Sequence, residues 1–427
     1  MTKISLNQIQ KLFFIFLPFS FVIGNFIFNL NVILIDLFFL ILVIKNEDYS
    51  RSLFKLMSKK NINLFIFIIL LLVTNIFFSD NVFYSIKGFF GIIKNLILIF
   101  ALAFFLRDTK NFNIFLKIYT FLISFLILDL IIQYYNGKDI FGYEWFVDNN
   151  NRLSGFFNDE YVAGSYLSKN IFFIFLNIGI FFNKKLENIL KLFYLLIVII
   201  ILFFIGERAP IIITIFTSFI YLFLNCNGLK QKFTFLLIFS LIIFTSVYVI
   251  SKNFPNKNIL LKTQEQFKII NIGDVSEVFK KTNDSIYFDL FKTSIEIYKN
   301  NKIIGSGLRT FRNSCHKVNI VKEVGVIQGV CSTHPHNFYL EILSELGIIL
   351  FIIFVALHLF VLLKVFFSIN ENKSFLLPVF VFGIVLFFPF QTTGSYFSSW
   401  NSFFYVVFYS LTLTHFIKKT KNRVSRM

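Results

Sequence analysis

Cys331-Ser-Thr-His-Pro-His-Asn-Phe-Tyr-Leu-Glu-Ile-Leu-Ser-Glu-Leu-Gly347 is the stretch on which the reading of this chain turns. A long polar segment ends here and a long apolar one begins. His334 and His336, two of the chain's five histidines, flank Pro335 at the junction. The proline biases His334 away from helical geometry, and its fixed φ suits a helix that starts just after it. From Asn337 onward the spacing is helical. Asn337, Glu341 and the pair Ser344/Glu345 recur at helical intervals and share one face. A polar stripe on the first turns of a membrane helix faces a wet cavity or protein, not lipid.

The remainder has the composition of an integral membrane protein. Of 427 residues, 56% are hydrophobic and 66 are phenylalanine, and mean hydropathy is +0.74. Apolar runs of about 17–25 residues recur along the chain, the length at which a helix crosses a bilayer. Runs this long mean helices, not barrel strands. The expected fold is all-α and polytopic, with about twelve transmembrane helices and one large periplasmic loop. The expected limits are 12–29, 31–44, 62–78, 88–106, 112–133, 165–182, 192–205, 210–225, 233–250, 337–363, 375–390 and 400–416. The first two lie close enough to form a helical hairpin. The chain then divides into an N-terminal membrane bundle (1–250), a periplasmic loop subdomain (251–336), a C-terminal bundle (337–416) and a basic tail (417–427). The first apolar run continues almost directly into the second, so no cleavable leader is expected.

A formal charge of +18 does not imply nucleic acid here. Phe, Ile, Asn and Lys are all heavily used, the bias of an AT-rich coding sequence. The basic residues also gather in alternate connections: Lys45 to Lys60, Arg107 and Lys110, Lys184 to Lys191, Lys230 and Lys232, Lys364, and the tail from Lys418. By the positive-inside rule these connections and both termini are cytoplasmic. The expected location is the bacterial inner membrane, with three regions on the periplasmic side. They are the loop 134–164 with Arg152-Leu-Ser-Gly155, the turn Gly206-Glu-Arg-Ala-Pro210, and 251–336. Arg152, Arg208 and His336 therefore fall on one side. Cys315 and Cys331 share the large loop, where an oxidising compartment permits a disulfide that would tie the histidine stretch to Arg309 and Arg312. The alternative is two unpaired small residues.

Several residues carry chemistry. His336, an imidazole at the start of a rigid helix, suits a general base that deprotonates a hydroxyl; the alternative is a cap or interfacial anchor. His334 would orient its neighbour or a substrate, and Asn337 and Glu341 share its surroundings. Arg208 offers a guanidinium fork for phosphate, or else an anchor paired with Glu207. Arg152 follows the same logic. Arg309 and Arg312 lie in Gly305-Ser-Gly-Leu-Arg-Thr-Phe-Arg312, a turn able to form an anion nest. Lys94 and Asp129 sit inside spans at similar depth, as an ion pair or, for Lys94 with Lys87, as a lipid-diphosphate contact. Asp159 and Glu160 with one His-x-His do not complete a zinc site, and no nucleotide-binding glycine loop is present. No metal or cofactor is expected.

At these residues the chain resembles the O-antigen ligase and Wzy-type O-antigen polymerase superfamily. The layout, a large outer loop before the last three spans, and His336-Asn337 followed by Gly347 carry the resemblance; Arg152-Leu-Ser-Gly and Arg208 add to it. Leu350 stands where the family often has glycine, and Ile212 where it has leucine. The resemblance implies a metal-independent, inverting glycosyltransferase. It would move a glycan from undecaprenyl diphosphate to a hydroxyl of lipid A–core or of a growing polysaccharide, at the periplasmic face. His336 would be the base, and Arg208 with Arg152 would meet the charge developing on the diphosphate. A protein-directed transferase is a further variant. The rival class is a polytopic transporter or flippase, which repeated halves with broken helices at the midplane would favour; no such halves are evident.

Overall fold

The computed structural model describes residues 6–47, 50, 53, 59–144, 152–158, 160–226, 228, 230–234, 237, 240–241, 244, 248, 286–322, 325–389, 391 and 394–424. Most of the expected span 233–250, Asp159 and residues 251–285 lie outside them. The helices are α1 (Leu6–Ile23), α2 (Asn25–Lys45), α3 (Lys59–Phe77), α4 (Val82–Leu106), α5 (Thr109–Asn136), α6 (Ala163–Phe181), α7 (Lys184–Ile205), α8 (Arg208–Asn225), α9 (Ile286–Asn300), α10 (Phe338–Ser368), α11 (Lys373–Leu386) and α12 (Ser399–Val424). Of these, α2, α4, α5, α6, α7, α8 and α10 are long and apolar enough to cross a membrane, and α1, α3 and α11 are shorter apolar helices. Among the described residues this is an all-α polytopic membrane architecture. Its sheet is one antiparallel hairpin, β1 (Asn319–Lys322) with β2 (Gly325–Gln328).

Some helix limits differ from those expected. The α1–α2 hairpin breaks at Gly24, φ 149, several residues before the expected gap. Asn31 closes it by donating to the Ser20 hydroxyl at 3.1 Å and the Phe13 carbonyl at 3.2 Å. Helix α12 continues to Val424.

The chain forms two compact units. The first comprises Met1–Asp108, Asp274–Val361 and Pro389–Met427; the second comprises Thr109–Gly273 and Leu362–Phe388. In the first, α12 and α2 pack along α4, and Phe21 stacks on Trp400 at 4.2 Å. In the second, α11 packs against α6 and α8.

An interruption in α10 positions the polar loop 302–311 of the first unit. Helix α10 is interrupted at Gly347, whose φ of 74 and ψ of 179 are not helical. An interruption inside an apolar helix frees backbone groups that lipid cannot satisfy. The loop 302–311 satisfies them. Ser306 N–H donates to the Ser344 carbonyl at 3.0 Å, Gly307 N–H to that of Glu345 at 2.9 Å, and Ile348 N–H to that of Lys302 at 2.9 Å. Asn75 of α3 adds its amide to the Ile304 and Glu345 carbonyls at 2.6 and 2.9 Å and accepts from Leu308 N–H at 3.1 Å. The backbones approach so closely that a Cβ on Gly305 would meet the Glu345 carbonyl, and one on Gly347 the Ile303 carbonyl.

Gly347→Ala is therefore expected to destabilise the protein by about 2 kcal/mol or more, through a strained positive φ plus the clash. Gly228, with open space around it, is the control, and its alanine variant should be near neutral. Thermal unfolding in detergent checks both; equal melting temperatures for the two variants would contradict this role of the interruption.

Candidate functional site

In the first unit the polar segment before α10 is built on a small core of Leu290, Ile297, Phe311, Cys315 and Val318. The Cys315–Cys331 disulfide, Cα–Cα 5.3 Å, closes it, and on the chain-entropy model such a link stabilises by about 3 kcal/mol. His316 Nδ1 lies 3.3 Å from the Cys331 sulfur. These three residues have metal-ligand spacing, but both sulfurs are bonded to each other. Cys331 stands three residues before His334, so the disulfide anchors the histidine stretch.

His336 itself adopts φ 58, a left-handed conformation uncommon outside glycine, although histidine is among the residues that take it more readily. Its ring meets Tyr287 of α9 edge-on at 5.5 Å and lies 4.2 Å from the ring of His334. His334 Nδ1 is 2.8 Å from the Thr333 hydroxyl. Burial pushes the His336 pKa below its ordinary value of 6.5. The ring is therefore neutral, and able to accept a proton, at neutral pH. Asn337 is the N-cap of α10. Its Oδ1 accepts from Tyr339 and Leu340 N–H at 3.0 and 3.2 Å, and its amide donates to the Pro389 carbonyl at 3.1 Å.

The polar stripe of α10 turns into protein. Glu341, 1% exposed, accepts from the Ser395 hydroxyl at 2.5 Å and Tyr396 N–H at 2.6 Å. Ser344 bonds Ser294 of α9 at 3.0 Å. Glu345, fully buried, accepts from Arg309 N–H at 2.6 Å and Phe311 N–H at 2.9 Å. The nest expected in Gly305–Arg312 thus exists, and the protein's own carboxylate fills it. Arg312 stacks over Tyr84 at 5.2 Å and donates to the Thr333 carbonyl at 3.4 Å. Lys94 donates to Asn29 at 2.5 Å. Asp129 accepts from Ile140 N–H at 2.8 Å, so each residue of the expected Lys94–Asp129 pair has a different partner.

The second unit assembles the arginine elements. Gly206, φ 86, ends α7, and Pro210 lies in the first turn of α8, where a missing N–H costs nothing. Between them Glu207 is directed to the start of α6 and accepts from Gly164 N–H at 3.4 Å. Arg152 and Lys169, the latter 5% exposed, are its electrostatic partners. Gln133 of α5 fixes Arg152-Leu-Ser-Gly155 by accepting from Ser154 and Gly155 N–H at 3.2 and 2.8 Å. Gly155, φ 56, leaves no room for a Cβ, which would stand 2.9 Å from Leu126. Arg208 begins α8 and is exposed.

With this geometry in place the comparison with known families is informative. Residues 193–355 match the family model of the O-antigen ligases. The O-antigen ligase match begins within α7, takes in the Glu207–Arg208 turn and the interrupted half of α10, and includes His334, His336, Arg309 and the disulfide. Arg152 and Lys94 precede it. No curated protein matches the chain. Sequence reading did not assign roles to Lys169, Gln133 or Asn75. Each is a polar residue inside an apolar helix, which was the available signal. Glu207 was read only as a partner for Arg208.

Burial raises the Glu207 carboxyl from 4.5 to about 7, although the Gly164 and Ser165 N–H groups, Arg152 and Lys169 pull it down. Between pH 4.5 and about 7 the folded protein then holds this proton more tightly than the unfolded chain. Its contribution to stability falls as pH rises through that window and is level above it. Glu207→Gln should remove this slope in melting temperature against pH. An unchanged slope would assign the pH dependence to other groups.

Proposed function

We propose that this protein is an O-antigen ligase- or polymerase-type glycosyltransferase of the bacterial inner membrane, acting at the periplasmic face. The observation that carries the reading is His336: a neutral, half-buried imidazole, held in a left-handed backbone at the head of α10, within the O-antigen ligase match. An uncharged imidazole in such a place is suited to receive a proton, not to bind an anion.

The donor is a glycan on undecaprenyl diphosphate, and the acceptor is a sugar hydroxyl of lipid A–core or of a growing polysaccharide. His336 takes the acceptor hydroxyl proton. That oxygen forms a bond to the anomeric carbon as the bond to the diphosphate breaks, and the diphosphate leaves with the electron pair. Attack opposite the leaving group inverts the configuration. Diphosphate is a competent leaving group, so the main demand is neutralisation of its charge, assigned to Arg208 and Arg152. Glu207 lies within electrostatic range of both Arg152 and Lys169. The supporting observations for these arginine roles are the pinned Arg152 loop and the placement of Arg208 at a helix start.

The test is a membrane assay with a labelled polyprenyl-diphosphate glycan, with and without lipid A–core. Label on lipid A–core means ligation, and longer glycan on the polyprenyl carrier means polymerisation; unmoved label with a matched donor would end the transferase reading. His336→Ala should lower the rate about 10²- to 10⁴-fold, the usual contribution of a general base. In the wild type the acid limb of the pH–rate profile should have its midpoint below 6.5, as burial of His336 requires. A midpoint above that value would place the base elsewhere.

A further inference from the structure

Arg309 occupies the left-handed region at φ 59, a conformation that burdens any residue with a Cβ and suits glycine. Its loop neighbours with such angles, Gly305 (φ 83) and Gly307 (φ 111), are glycines. At this position a long cation stands instead. Glu345 fixes its backbone by accepting its N–H at 2.6 Å. Helix α4 directs its side chain: a Cβ on Gly88 would lie 3.3 Å from the Arg309 Cγ and 3.5 Å from its Cδ. Among the described residues none accepts a hydrogen bond from the guanidinium.

Along the same helix, Lys94 donates to Asn29 Oδ1, which also accepts from Ser399 at 2.9 Å. Lys94 is within electrostatic range of Arg309 and of Asp36. Gly91 stands between Gly88 and Lys94 at three-residue steps, and nothing lies within 4 Å of where its Cβ would be. Asp36 offsets the lysine. The carboxylates within range of Arg309, Glu341 and Glu345, are already engaged by O–H and N–H donors. A strained arginine whose guanidinium donates no hydrogen bond among the described residues, within electrostatic range of a second cation, is arranged for an anion brought by a ligand.

We propose that Arg309 and Lys94, across the Gly91 face of α4, form a subsite for a phosphate group on the lipid-borne acceptor, with Glu345 as the positioning residue. The assignment to acceptor rests on the transferase reading above. This subsite belongs to the same compact unit as His336, the base for the acceptor hydroxyl. Two acceptors share the chemistry: phosphorylated lipid A–core, and a second polyprenyl-diphosphate glycan.

The experiment measures binding by the full-length protein in nanodiscs. The probes are lipid A–core, its dephosphorylated form, and polyprenyl-diphosphate glycan. Arg309→Gln and Lys94→Gln should each raise Kd for one phosphorylated acceptor about tenfold, the weight of a lost charge-assisted hydrogen bond, and leave the dephosphorylated form unaffected. Which phosphorylated probe responds identifies the source. Arg309→Gly separates binding from structure, because it relieves the backbone. It should melt at a temperature at or above wild type and yet bind as weakly as Arg309→Gln. Glu345→Gln sets an amide donor against the loop N–H groups and should raise Kd with Arg309 intact, and Glu345→Asp should recover part of the loss. In turnover the acceptor KM should rise, with donor KM near wild type. Unchanged Kd in both Arg309 variants overturns the subsite, even if His336-dependent transfer is observed. Phosphate-dependent binding without any transfer upholds the subsite and removes the transferase reading alone.

Discussion

The interruption of α10 at Gly347 is the constraint on which the first unit depends. A helix of 31 residues in an apolar setting has no water to satisfy a broken turn. The loop 302–311 supplies the missing donors and acceptors, and in doing so it is locked in register against residues 344–348. Glycines at 305, 307 and 347 are the condition for that approach. Once the loop is placed, Arg309, Arg312, the disulfide and the histidine stretch follow, because each lies within a few residues of a fixed contact.

The buried acids share one logic in both units. Glu345 is held by two backbone N–H groups, Glu341 by a serine and a backbone N–H, and Glu207 by the start of α6. A buried carboxylate without such donors would cost several kcal/mol. These acids therefore act as fasteners for loops and helix starts. Arg309 and Arg152 act on these carboxylates through space, not through paired forks.

Much of this was legible in the sequence. Apolar length identified the seven described helices long enough to cross a membrane and the shorter apolar ones, but not α9, and Pro335 with Asn337 marked the start of α10 to within one residue. The periodicity that grouped Glu341, Ser344 and Glu345 was correct, but periodicity reports a shared face and not what the face meets. It meets α9, the 302–311 loop and the Ser395 turn, contacts separated by tens of residues that no local pattern encodes. Likewise Gly305-x-Gly was visible as a nest, whereas its occupant, Glu345, was not. Depth within a span placed Lys94 and Asp129 together, but depth does not say which groups meet, and their partners are Asn29 and the Ile140 N–H. The α1–α2 break was misplaced because Gly24 was read as part of a continuous apolar run.

Asn75 carries a consequence for biogenesis. Its amide belongs to α3, and its acceptors are carbonyls 229 and 270 residues further along the chain. While the chain is being made, that amide waits in an apolar helix with its partners still unsynthesised. The waiting state is costly in hydrocarbon, so α3 has reason to stay beside the insertion machinery, or to borrow a temporary partner, until α10 arrives. Closure of the first unit is thus a late event, and a chain that stops short of Ile304 is left with an unsatisfied polar group in an early helix, a mark by which quality control can tell an incomplete product.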